Sequence, residues 1–126
     1  MKNRPFLQRL GFACAGLVVG WRRERSLRTH FMFAALAGLA LLVLRPAPMW
    51  WALVAVVIAA VLALELVNSA IEAVIDLLHP ELHPEIKIIK DMVAGAVLIT
   101  SIAALVVALS LAIEKRAVIL SIFRIG

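Results

Sequence analysis

The chain has one cysteine, Cys14, among 126 residues. A lone cysteine gives no intramolecular disulfide and no zinc cluster. Glycine is also scarce, six in all, and the pattern Gly-x-x-x-x-Gly-Lys-Ser/Thr does not occur. Any nucleotide is therefore held without a P-loop. Charge is thin: Asp, Glu, Lys and Arg make up 17%, against about 25% in an average soluble domain. Internal repeats, low-complexity tracts and domain linkers are missing as well.

What is abundant is apolar surface. Hydrophobic residues make up 64% of the chain, and the mean hydropathy is +1.05. A small soluble fold cannot hide that much apolar surface, because its surface-to-volume ratio is poor. The composition excludes an ordinary soluble enzyme, a disordered chain and a disulfide scaffold. It predicts an all-α integral membrane protein forming a single membrane-embedded domain over 1–126.

The net charge is +5. Seven of the thirteen basic residues fall at or before Arg28, beside the first long apolar run. Juxtamembrane basic residues mark the cytoplasmic side and attract anionic headgroups. No nucleic-acid-binding motif accompanies them, so no nucleic acid is expected as a partner.

Three segments read as membrane spans. The first is uncharged over 29–44, roughly 24 Å of helix, with Arg28 and Arg45 able to snorkel to the interfaces. Arg45-Pro46-Ala47-Pro48 then reverses the chain. The second, 49–78, makes roughly 45 Å of helix against about 30 Å of hydrocarbon. Trp50 and Trp51 stand at its apolar end like interfacial anchors, so the acidic end projects to or past the opposite interface. The third is uncharged over 92–113, roughly 33 Å. The expected layout is a surface helix over about 5–24, spans at 29–45, 49–78 and 91–113, a cytoplasmic loop over 79–90 and a tail over 114–126. Nine basic residues flank the spans on the side of the N-terminus and four on the other. That bias puts the N-terminus and the 79–90 loop in the cytoplasm.

Residues 1–20 have a basic start and an apolar stretch, but Trp21-Arg22-Arg23-Glu24-Arg25 is a poor cleavage context for a signal peptide. Gly11 also makes a poor lipoprotein site of Cys14. On a helical wheel Phe6, Leu7, Leu10, Cys14, Leu17 and Trp21 share about a 100° arc, as in an amphipathic helix lying on the inner leaflet.

The informative segment is Glu65-Leu66-Val67-Asn68-Ser69-Ala70-Ile71-Glu72-Ala73-Val74-Ile75-Asp76. Glu65, Asn68, Glu72 and Asp76 fall at about 0°, −60°, −20° and +20° on a helix, one narrow face flanked by Ser69. A charged residue at mid-helix costs roughly 2.5–3.5 kcal/mol on insertion scales. Three stacked carboxylates therefore need basic partners, a metal ion or protonation. Carboxylates with room for Mg²⁺ suit phosphoryl transfer, where the ion neutralises developing charge. The plainer alternative is interhelical glue, with Asn68 and Ser69 bonding a neighbouring helix.

Lys90-Asp91 allows two readings: a helix-start acid beside a solvated lysine, or a lysine that reaches phosphate oxygens. Glu24 among Arg22, Arg23, Arg25 and Arg28 can likewise be a surface ion-pair cluster. His79-Pro80-Glu81-Leu82-His83-Pro84 invites zinc, but it is not His-Glu-x-x-His, and its prolines prevent a regular helix there. A loop closing over a ligand suits it better.

The motif from Glu65 to Asp76, followed by Lys90-Asp91-Met92, resembles the signature of the prokaryotic diacylglycerol kinase family. The resemblance extends to Ala96-Val97-Leu98 and back to Glu24 and Arg28, and covers roughly 10–110. It implies an ATP-dependent lipid kinase with three transmembrane helices and an N-terminal surface helix, assembled as a homotrimer in the bacterial inner membrane. The active site would face the cytoplasm, with diacylglycerol as acceptor and phosphatidic acid as product. By the same resemblance Glu65 matches the general base, and Glu24 and Glu72 match the carboxylates that hold Mg²⁺ on ATP. Asn68, Lys90 and Asp91 match residues around the phosphates, and Glu81 and His83 the nucleotide-contacting loop. Arg28, His30, Glu65 and Ala94 fall at lipid-side positions, while Ser69 and Asp76 are supporting.

Departures are visible. Pro5, Phe12 and Ala13 stand where the best-studied diacylglycerol kinases carry arginine, tyrosine and serine. Ala94 replaces a serine, and His30 stands where those enzymes have a glutamate. With Pro80-Glu81-Leu82-His83-Pro84 and Ala94-Gly95-Ala96-Val97-Leu98, the chain is similar to the undecaprenol-kinase branch, whose product is undecaprenyl phosphate. A proton- or cation-coupled transporter is the alternative from another class, though its coupling site would sit near the midplane. A structural protein with a polar trimer seam is another, but it gives no reason for Glu24 and Lys90-Asp91 to converge on the stripe.

Overall fold

The computed structural model describes residues 3–79, 81 and 83–124. Those residues form five helices and no strand: α1 (Phe6–Arg23), α2 (Arg25–Leu44), α3 (Pro48–Leu78), α4 (Pro84–Glu114) and α5 (Arg116–Phe123). Three of them, α2, α3 and α4, are long and apolar enough to cross a membrane.

The helix boundaries follow local chemistry. Glu24 is extended (φ −108°, ψ 109°) and alone separates α1 from α2. The Arg28 guanidinium closes that corner by donating to the carbonyls of Trp21 at 2.7 Å and Arg22 at 3.0 Å. These are end-of-helix carbonyls that would otherwise lack partners. Helix α2 therefore starts at Arg25, ahead of the expected 29, and Arg28 faces the corner. An edge-on contact between the Trp21 and Phe31 rings, 5.4 Å between centroids, adds to it.

Arg45 ends α2 in the left-handed region (φ 48°, ψ 54°), its N–H bonded to the Leu41 carbonyl. A side chain there costs roughly 1–2 kcal/mol, and Pro46, which follows, is buried. Pro48 then opens α3 at its first position, where a missing N–H is harmless.

The expected 79–90 loop is shorter than the sequence suggests, because α4 begins at Pro84 rather than Asp91. Pro84, expected to prevent a regular helix, initiates one. His83 caps that start, its Nδ1 accepting from the Glu85 N–H at 3.1 Å. Pro80 and Leu82, part of the candidate ligand loop, lie outside the described residues. The tail over 114–126 contains α5.

Helices α3 and α4 pack along most of their length, and α2 lies against α3. Leu41, Val54 and Leu111 bury one another at the Pro46 end, supported by Ala37, Leu44, Trp50, Ile58 and Val107. Elsewhere burial is slight: of the hydrophobic side chains, Leu27, Leu41, Val54, Val61 and Leu111 are buried among the described residues. In water such exposure would be ruinous; in lipid the exposed faces of α2, α3 and α4 meet a matching solvent. Phe6, Leu7, Leu10, Leu17 and Trp21 of α1 are exposed too, which leaves the apolar arc of that helix free for an interface. Gly20 is its one buried residue. A Cβ there would lie 2.5 Å from Leu66 Cδ1 and 3.0 Å from Leu27 Cδ2, so α1 sits this close to α3 because Gly20 has no side chain.

Candidate active site

The register of the helices brings the polar residues to shared levels. His30 of α2 meets Glu65 of α3, just as Leu41 meets Val54 further along. Between α3 and α4, Asp76 meets Lys90 at one end and Val54 meets Leu111 at the other, so Glu65 is level with Ser101. Glu72 is roughly 10 Å along α3 from Glu65, toward the His79 end.

Glu65 is the one buried charged residue among those described, at 9% exposure. Its Oε2 is 2.7 Å from His30 Nδ1. The approach is oblique, and neither atom makes a hydrogen bond of regular geometry with any other group. Oδ1 of Asn68, one turn along, is buried and unpartnered in the same way. A buried oxygen or nitrogen left in that state costs about 1–3 kcal/mol.

The described residues hold two further ion pairs. Lys90 Nζ meets Asp76 Oδ1 at 3.1 Å, and Lys87 Nζ meets Asp91 Oδ2 at 2.7 Å. Glu24 and Glu72, both half-buried, belong to neither. Among the described residues none of the arginines flanking Glu24 comes within ion-pair distance of it, unlike a close-contact surface ion-pair cluster. No three His, Cys, Asp or Glu side chains among the described residues gather into a metal-holding set. Mg²⁺ on a nucleotide does not require one, since it uses one or two carboxylates plus phosphate oxygens and water. Glu24 and Glu72, carboxylates outside these ion pairs, are of the ligand type such an ion takes.

A groove of about 650 Å³ runs between α2, α3 and α4, from His30 to Leu44 and on to Ile119 of α5. Its only polar side chains are His30 and Ser101, both at the level of Glu65; the rest is Ala, Val, Leu, Ile and Phe. It is an apolar trough with one polar end. Of the lipid-side candidates, His30 lines it and Glu65 stands directly behind His30. Arg28 is engaged at the α1–α2 corner, and Ala94, exposed on α4, is outside the lining. Ser101 was missed by sequence reasoning. Its hydroxyl, bonded to the Val97 carbonyl at 2.9 Å, looks in the sequence like any serine of an apolar helix.

The remaining candidates are spread toward the other end. Ser69 is half-buried beside Asn68, while Glu81 and His83 are exposed beyond Asp76. His83 is occupied as a cap and Asp91 by Lys87.

Fold and site together define a small helical membrane protein with a buried glutamate beside a half-buried histidine at the polar end of an apolar groove. The profile of the prokaryotic diacylglycerol kinase family matches residues 11–112. The chain belongs to that family, a family of membrane lipid kinases. No curated protein and no solved structure gives a significant match.

Proposed function

We propose that this chain transfers the γ-phosphate of ATP to the hydroxyl of a membrane lipid, with Mg²⁺ on the nucleotide. The first acceptor to consider is diacylglycerol, giving phosphatidic acid. The observation that carries the reading is the apolar groove ending at His30, Ser101 and the buried Glu65. A lipid hydroxyl has a high pKa and gives up its proton only to a base within hydrogen-bond reach. In this reading that base is built on Glu65, with Asn68 beside it.

Glu24 and Glu72 would hold Mg²⁺, which supplies charge neutralisation on the phosphates. Lys90, released from Asp76, would reach the phosphate oxygens as a mobile point charge, with Asp91, Glu81 and His83 nearer the nucleotide. The spacing along α3 suits one lipid and one soluble substrate: Glu65 lies deeper among apolar residues and Glu72 closer to the turn. The domain is the whole helical unit, and the extensive exposed apolar surface of α2–α4 leaves room for a homotrimer. The basic N-terminal flank favours an inner-membrane protein with its site on the cytoplasmic side.

One observation favours undecaprenol as the acceptor instead. The groove is a single trough, following α2 for fourteen residues from His30 to Leu44, roughly 21 Å. A single extended polyprenyl chain matches that form more simply than two acyl chains do.

The test uses purified protein in mixed micelles with Mg-ATP and diacylglycerol or undecaprenol. Lipid phosphate that disappears with Glu65→Gln and with EDTA supports the reading. Transfer to neither lipid, alongside proton-driven uptake in vesicles, would move the chain to the transporter class.

A further inference from the structure

Helix α2 has a second concave face, turned away from the groove. A cavity of about 670 Å³ lies there, between the end of α1 and the first half of α2. Of its walls, Arg25, Arg28, Met32 and Ala35 fall within about 80° on α2. His30, which lines the groove, is about 180° from the centre of that arc. Trp21 of α1 and Phe31 make the side wall, their rings edge-on at 5.4 Å. The cavity is layered along the helix axis. Arg25 and Arg28 stand at the α1–α2 corner, and Ala35 is roughly 15 Å beyond Arg25, inside the first span.

The donors at the upper end suit an anion. Arg28 gives Nη1 to the carbonyls of Trp21 and Arg22, which fixes its guanidinium and leaves the N–H groups of Nε and Nη2. The exposed Arg25 side chain makes no hydrogen bond or ion pair among the described residues. Thr29, the remaining polar residue of the wall, gives its proton to the Arg25 carbonyl at 3.1 Å, so the guanidinium groups supply the donors. Among the described residues no carboxylate lines the cavity. Residues 1–28 as a whole hold seven basic side chains against one acid, Glu24.

We propose that this cavity binds one anionic glycerophospholipid of the bilayer, at a site separate from the groove and independent of the lipid-kinase reading. Arg25 and Arg28 hold its phosphate through charge-assisted hydrogen bonds. An acyl chain runs down over Met32 and Ala35 beside Phe31. A soluble phosphate gains the charge contacts but leaves the apolar lower half uncovered. A zwitterionic lipid fills the lower half, but its ammonium meets guanidinium groups and no carboxylate. Arg25 begins α2 and Arg28 is tied to the last carbonyls of α1, so a phosphate on both braces the corner at Glu24. The basic flank also places the site in the leaflet that carries anionic lipid.

Trp21 in the wall reports occupancy. With Trp50→Phe and Trp51→Phe it is the one tryptophan of the chain. That protein is reconstituted in phosphatidylcholine vesicles, with a rising fraction of either phosphatidylglycerol or phosphatidylcholine brominated on its acyl chains. Quenching of Trp21 is expected to show about a tenfold preference for phosphatidylglycerol. One arginine near a headgroup is worth about fivefold, so Arg25→Gln should lower the preference by about that factor. Helix content by circular dichroism should be unchanged, since the Arg25 side chain makes no bond within the protein. Arg23→Gln removes the same charge from the same flank but outside the cavity, and should change the preference by less than about twofold. Equal quenching by the two brominated lipids, or equal losses in Arg23→Gln and Arg25→Gln, would reduce the effect to diffuse attraction by the flank and overturn the site. Millimolar glycerol phosphate is expected to leave the quenching in place; relief by it would make a soluble anion the ligand and overturn the lipid. None of these readings needs phosphate transfer, so they decide the site whatever the kinase assay returns.

Discussion

Lys90 Nζ donates to Oδ1 of Asp76 at 3.1 Å, joining α4 to α3 across the turn between them. The two residues are fourteen apart in sequence and lie on facing helices. Their side chains are 37% and 69% exposed, so the pair contributes little to stability, about 0–1 kcal/mol. It keeps Lys90 beside the carboxylate stripe.

Removing each partner should have opposite consequences. Lys90→Met is expected to lower kcat by about 100-fold, as loss of a charged phosphate contact does. Asp76→Asn frees the lysine and is expected to leave the thermal midpoint within a degree or two, in line with an exposed pair. Its KM for ATP should fall or stay level. Phosphate transfer and thermal unfolding in the same detergent check both.

Glu65→Gln keeps the size of a buried side chain and removes its charge. Activity should drop by about 10²- to 10⁴-fold, the range for loss of general-base function. Helix content by circular dichroism should be unchanged, since the side chain contacts His30 obliquely and supports no other hydrogen bond. Leu66→Ala, on another face of α3, should lose far less activity.

Glu24 and Glu72 are in none of the ion pairs among the described residues, and in the proposed reading they hold the metal, so their substitution should be read through it. Glu24→Gln and Glu72→Gln are each expected to raise the Mg²⁺ concentration for half-maximal activity by about tenfold or more, as lost ligands and their supports do. EDTA should abolish transfer and excess Mg²⁺ restore it. A Mg²⁺ titration of wild type and both variants at fixed ATP decides this. An unchanged midpoint would remove these residues from the metal.

The groove makes a prediction about the lipid alone. Ala108, on its α4 wall, can be enlarged to Phe into open space, so the usual cost of overpacking, about 1–3 kcal/mol, should be small. Lipid KM should rise severalfold while KM for ATP stays within error. Comparing diacylglycerol with undecaprenol in the same variant shows which acceptor uses the trough.

Much of the site was legible because α3 is a regular helix. Offsets of three, seven and eleven residues place Glu65, Asn68, Glu72 and Asp76 on one face in any α-helix. What periodicity cannot give is the partner of each. Lys90 and Asp91 are adjacent in sequence, yet Lys90 goes to Asp76 and Asp91 to Lys87. Neighbours in a helix point about 100° apart. Arg28 and Ala94 also read as lipid-side positions, but one is drawn to the α1–α2 corner and the other is away from the groove. Pro84 shows the same limit at the backbone. A proline breaks a helix in its interior and starts one at its first position, and only the cap by His83 decided which.

The sequence by itself determined the medium and the helices, since long apolar runs between basic flanks and prolines have no other stable form in lipid. It also determined that an acidic stripe lies at one end of the second span. The tertiary structure decided what that stripe meets: His30 rather than solvent or a second carboxylate, at the polar end of an apolar groove. That outcome depends on the register of α2 against α3, in which packing around Leu41 and Val54 takes part, eleven residues along each helix from His30 and Glu65.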